Sequence, residues 1–332
     1  MNPTSEVLAS PALSSPSVPV TTIPTVAGIQ KAQTEIKLRK GAEYPNGSVE
    51  QCLLRRDVSN AGSDSILQLA TCLQRTFPLP DWVTLNRCER AGYAGVAKAE
   101  NTTHFLVSND GISDKNASIV TDLKERSPGE SNGLRVSCLI GESSFLSSLP
   151  ELSRVSEAVL LIDYDPFVLY AFMSQLAIIR ESGPDLTEEA FLEKFLDQLY
   201  PDAIKQNQPA FVERQNAAFL RDYADAKKHL GDDHLFSSAA RFAEVQAACK
   251  KLNVTPVYMD MFSASSHASM TRILNQHNAT ISCLNLTNLL EYWSIWGDSE
   301  VLSSMKTLPI ADNALCVHPA DVGAKTVSED SV

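Results

Sequence analysis

Basic residues are few in this sequence beside its acidic ones. Its 28 Lys and Arg face 40 Asp and Glu, giving a net charge of -12 and a pI near 5.0. A phosphate backbone needs a basic surface, so nucleic acid is not an expected partner. No apolar run approaches the ~20 residues of a membrane-spanning helix, and a membrane is not expected either. The N-terminus has neither a basic stretch nor an apolar core of the Sec type, which predicts a soluble protein that is cytoplasmic, or exported by a route not using a Sec signal. The seven cysteines (52, 72, 88, 138, 249, 283, 316) form no CxxC pair and are odd in number, as expected of free thiols in a reduced compartment. His267, His277 and His318 lack ligand-like spacing, so no metal is expected. GxGxxG, P-loop and GxSxG patterns are also missing, which argues against nicotinamide, nucleoside-triphosphate and nucleophile-elbow chemistry.

Residues 1–43 are rich in Pro, Ser, Thr and Val, with no Lys or Arg before Lys31 and no aromatic before Tyr44. Such a segment cannot bury enough apolar area to offset its ordering entropy, so it reads as a disordered tail, with a partner-binding or translocation signal as the alternative. Residues 44–133 read as a helical or mixed region that packs on a larger core C-terminal to it. Within this region, Ile66, Leu69, Ala70 and Leu73 make one helical face over 64–75, with Ser63 or Asp64 as cap. A short strand at 103–107 and a helix over 118–125 complete it.

From residue 134 the pattern sharpens. Residues 134–320 read as an α/β core and 321–332 as a flexible tail. Strands are predicted at 134–140, 159–162, 254–259, 280–284 and 314–318. Between them run helical segments over 147–153, 167–180, 237–252, 268–276 and 289–308. The long stretch from the second to the third strand contains a helical insertion, 183–241. Asp185 to Glu188 resembles a capping box there, and Gly231 a helix end.

The strand ends carry the chemical signal. They finish in Gly141-Glu142-Ser143-Ser144, in Asp163-Tyr164-Asp165-Pro166, in Asp260-Met261, and in Asn285-Leu286-Thr287-Asn288. In a doubly wound parallel sheet with right-handed crossovers these ends share one edge, where ligands bind. Asp165 suits the cap of the helix after Pro166, which leaves Asp163 for another task. Asp260 suits either a ligand or a cap for the next helix, and Asn285 and Asn288 either a cap or a substrate contact. Tyr292, Trp293 and Trp296 come next at helical spacing, as core or as a pocket wall.

This order resembles the class I S-adenosylmethionine-dependent methyltransferases, over residues 134 to 318. The resemblance implies a Rossmann-like α/β fold with a mostly parallel sheet, and S-adenosylmethionine as cofactor. It implies a glycine turn at Gly141 and Ser143 beside the methionine part, and Asp163 with Tyr164 at the ribose. It implies Asp260 and Met261 near the adenine, and Asn285 as part of the fourth motif. Asn288 and Tyr292 would then face the methyl acceptor, whose identity the resemblance leaves open along with any catalytic residue. Methyl transfer from a sulfonium needs alignment more than acid–base chemistry. Gly141 stands alone where the family usually has two or three glycines, and only one strand is evident after Asn288. The alternative is an interaction protein or secreted effector on a methyltransferase-like scaffold, with a protein partner in place of a cofactor.

Overall fold

A computed structural model describes residues 62–80, 115–125, 133–141, 145–200, 202–286, 299–317 and 325–326. In chain order the elements are α1 (Gly62–Thr76), α2 (Lys115–Glu125), β1 (Leu134–Ile140), α3 (Phe145–Val155), β2 (Ala158–Asp163) and α4 (Pro166–Glu181). The insertion adds α5 (Glu188–Leu199), α6 (Asp202–Asn207), α7 (Pro209–Leu230) and a 3-10 turn (Gly231–Asp233). Then come α8 (Ala239–Lys251), β3 (Asn253–Tyr258), α9 (Ala264–Gln276), β4 (Ala279–Asn285), α10 (Ser299–Met305), β5 (Ile310–Val317) and β6 (Lys325–Thr326).

The sheet runs β3-β2-β1-β4-β5-β6, with every pair parallel except β5 and β6. The chain steps outward from β1 to β3, then returns to the far side of β1 for β4 and β5. This is a doubly wound α/β fold, as the alternation of apolar runs and amphipathic segments predicts. The inner strands β1 and β2 are buried along most of their length, which is why β2 reads as an unbroken apolar run and β1 as a largely apolar one interrupted by Arg135 and Ser137. Pro256 is compatible with β3 because β3 is an edge strand, and Gln74 of α1 donates to its carbonyl at 3.3 Å.

Side chains alternate between two cores. Leu139, Val159, Leu161, Val254, Cys283 and Leu315 face α3, α4, α8 and the insertion. Val136, Cys138, Ile140, Leu160, Ile162, Val257 and Leu284 face α1, α9 and Met305 of α10. The insertion belongs to the first core: Phe191, Phe195, Phe219, Tyr223, Phe236 and Phe242 form a chain of ring contacts with centroids 4.8–6.2 Å apart. Its apolar face is thus closed by the same helices that cover the sheet.

Several boundaries shift for local reasons. The cap of α5 is Thr187, whose hydroxyl accepts from the Ala190 N–H at 3.2 Å, and the capping box predicted from Asp185 does not form. Glu188 turns instead to Lys227, 2.5 Å away. Helix α9 starts earlier than its apolar periodicity predicts because Ser263 caps it. Strand β5 starts at Ile310 rather than 314, since its register against β4 jumps between Ile281/Ile310 and Cys283/Leu315 and takes polar residues into the strand. Lys325 and Thr326, within the stretch read as a tail, pair antiparallel to β5. The predicted tail 1–43 and the strand 103–107 lie outside the described residues.

Candidate functional site

The carboxyl ends of β1 and β2 are locked at one level. Ile140 pairs with Ile162, and the Gly141 N–H donates to the Ile162 carbonyl at 3.0 Å, one step past the strand. Gly141 has φ 59, a left-handed conformation that a side chain would strain, so the isolated glycine of the sequence is required by backbone geometry. The bond order continues outward. Asp163 pairs with Tyr258, and the Met259 N–H donates to the Asp163 carbonyl at 3.1 Å. Asp163 therefore sits on backbone held by the neighbouring strand.

Its carboxylate is half-buried, and Oδ1 accepts the Asp165 N–H at 2.7 Å. Asp165 in turn caps α4 through the Phe167 N–H at 2.9 Å, with Pro166 at the first helical position, as the sequence predicts. An ionised carboxylate offers about four acceptor sites, so a turn bond and a ligand hydroxyl are compatible on one side chain. Asp260 behaves alike: Oδ1 accepts from the Phe262 N–H at 2.8 Å, while the cap of α9 itself is Ser263. Two strand-end acids thus each hold a local turn.

The remaining predicted residues divide. Tyr164 is 46% exposed beside Asp163, an unusual degree of exposure for so large a ring. Met261 is buried and packs with Met259 and Met270 in the second core, under the edge rather than on it. Asn285 is fully buried. Its direction is set by a bulge: β4 pairs Ile281 with Val136 but Cys283 with Ser137, so Ser282 is the extra residue. That inverts the alternation, and Asn285 pairs with Leu139 on the side of the first core, where an unbulged strand would turn it to the second. Ser143, Asn288 and Tyr292 lie outside the described residues.

One neighbour escaped the sequence reading. Tyr258 ends β3, is half-buried, and shares a register position and a sheet face with Asp163. It reads as one apolar residue near the end of a strand run, and only the pairing of β2 with β3 sets it beside the acid. Together Gly141, Asp163, Tyr164 and Tyr258 make an edge with a close-approach backbone, a hydroxyl-accepting carboxylate and two aromatic rings. Such a set suits a neutral or cationic polyhydroxylated ligand with a flat part.

Among the described residues, no group of three or more His, Cys, Asp or Glu side chains is placed to hold a metal ion, and no helix is long and apolar enough to cross a membrane. No protein-family model matches the chain, and no curated protein sequence matches it.

Proposed function

We propose that the chain binds S-adenosylmethionine, or a nucleoside of that kind, at the carboxyl edge of the sheet and serves as a methyltransferase-like protein. The observation that carries this reading is that left-handed Gly141, bonded to the Ile162 carbonyl, and Asp163 stand at adjacent strand ends, in a sheet whose order reverses at β1. Open α/β sheets bind ligands at that reversal, and an acid at the second strand end suits ribose hydroxyls. The cofactor, when bound, supplies a methyl group already activated as a sulfonium. Asp163 accepts hydroxyl hydrogen bonds, Gly141 lets the ligand approach the backbone, and Tyr258 flanks the acid. The acidic edge also favours a cationic sulfonium over an anionic ligand.

Calorimetric titration with S-adenosylmethionine and S-adenosylhomocysteine tests the reading. Asp163→Ala removes charge-assisted hydrogen bonds worth about 1.5–3 kcal/mol, so affinity falls roughly 10- to 100-fold. A well-folded protein that binds neither ligand sinks the proposal.

The second reading is a cofactor-free interaction scaffold. It is favoured by the turn bonds of Asp163 and Asp260, which give both acids a structural task. On that reading Asp163→Ala lowers stability and leaves ligand titrations flat for both proteins.

A further inference from the structure

The end of the helical insertion is tied to the first turn of α3 by hydrogen bonds from Arg241 and Leu235. Arg241, the third residue of α8, is buried, and its guanidinium makes five hydrogen bonds. Nη1 and Nη2 bind Glu151 Oε1 and Oε2 of α3 at 2.9 and 3.0 Å. Nη2 also donates to the Ser147 carbonyl at 2.6 Å, Nη1 to Glu244 at 3.1 Å, and Nε to the Asp233 carbonyl of the 3-10 turn at 3.3 Å. The fork geometry of a guanidinium is what allows one residue to join three elements. A second strut runs alongside, as the Leu235 N–H donates to Ser147 Oγ at 3.2 Å.

Both struts converge on Ser147, in the first turn of α3. That turn belongs to the first described element after β1, and its helix is weakened at this end. Pro150 lies inside α3 and cannot donate the N–H that would otherwise bond the Leu146 carbonyl. With one rung missing, the first turn depends on contacts from outside the helix, and those contacts come from the end of the insertion.

We infer that Arg241, with the Leu235 backbone, is a positioning element that fixes the first turn of α3, whose Leu146 and Leu149 share the first core with Leu139 of β1, so that the insertion and the strand-edge ligand site are energetically coupled. This rests on the ligand-binding reading proposed for that edge. Binding and the order of the 233–241 elbow then reinforce one another, since coupling between two sites is reciprocal.

Two variants of the full chain test it. Arg241→Lys keeps the charge and loses the fork. Ser147→Ala removes only the Leu235 acceptor and leaves the ion pair intact, so it serves where the first variant folds poorly. Amide hydrogen exchange in peptides covering 149–153, whose N–H groups bond the first-turn carbonyls, should quicken about tenfold in both variants, while peptides from β4 and α9 hold their wild-type rates. The dissociation constant for S-adenosylhomocysteine should rise about fivefold or more, and the bound ligand should slow exchange at 233–241 in the wild type. A simple loss of global stability would instead quicken exchange everywhere and leave the affinity of the folded fraction unchanged, which overturns the inference. So would wild-type affinity in both variants. No binding by the wild-type chain overturns the functional reading, and this coupling with it.

Discussion

A methyl group at position 133 would have nowhere to go. A Cβ built on Gly133 falls 2.1 Å from the Asn278 carbonyl oxygen, and that same oxygen accepts the Leu134 N–H at 2.9 Å. The obstacle is backbone, so the start of β1 and the turn into β4 must part. Gly133→Ala should cost about 1–3 kcal/mol in urea titration. Gly183→Ala, with nothing within 4 Å of its Cβ, should stay within about 0.5 kcal/mol of wild type. His234 supplies a pH prediction at the same scale. It is buried, its Nδ1 accepts the Phe236 N–H at 3.2 Å, and its ring meets Tyr223 edge-on. Burial pushes its pKa down from 6.5 to about 4, with Glu188 of α5 opposing the shift and Lys227 of α7 adding to it. Below pH 6.5 the unfolded chain takes up a proton that the folded chain refuses. Stability from this group is thus whole above 6.5 and drains away as pH falls toward 4, by on the order of 3 kcal/mol. His234→Phe should flatten that part of the pH dependence. Equal slopes for variant and wild type between pH 7 and 5 would refute the assignment. Neither residue carries a sequence signal, because a lone His and a glycine before a strand are both commonplace.

At the scale of elements, the joint between α3 and α8 sets the expectations. Arg241 and Glu151 form a buried, two-pronged ion pair. Removing Glu151 leaves the buried guanidinium only the exposed Glu244 carboxylate as counter-charge, so Glu151→Gln should cost up to about 3–5 kcal/mol. Replacing both, as Glu151→Leu with Arg241→Met, should cost clearly less, because no charge is then stranded. Chemical denaturation of the single and double variants decides it; additive costs would show that the pair acts as two independent residues. The elements themselves were largely legible. The strand 134–140, the helix after Pro166 and the Gly231 helix end were readable because period and punctuation are local. The cap of α5 was not, since Asp185 and Thr187 are both good caps and the choice depends on where Glu188 meets Lys227. The early start of β5 was missed for a similar reason. Its polar residues Asp312 and Asn313 break the apolar alternation, and only a neighbouring strand with a register jump makes them part of a ladder.

For the whole molecule, the two cores offer independent reporters. Cys138 of β1 lies in the core beneath α1 and α9, and Cys249 of α8 in the core beneath the insertion. Burial pushes both thiols up to about 12, so neither is a thiolate near neutral pH. In the native state both should resist a thiol reagent, and they should be labelled at one common rate if the sheet and its two helical layers open together. Faster labelling of Cys249 than Cys138, read out by mass spectrometry, would show the insertion layer opening first and would refute a single cooperative unit. The aromatic chain running from Phe191 to Phe242 argues for common opening, since it joins the insertion to the helix that packs on the sheet.

By itself the sequence determined the kinds of elements and their order, because an apolar run, a capping aspartate and a chain-breaking proline act within a few residues. It also singled out Asp163 and Gly141, through the abrupt end of one strand and the lone glycine of another. The tertiary structure decided which residues become neighbours. The strand order put Tyr258 beside Asp163, the bulge at Ser282 turned Asn285 toward the first core, and a guanidinium tied the end of the insertion to the first turn of α3. Each of these depends on residues far apart in the chain, whose meeting is fixed by register and packing, and no local pattern encodes register.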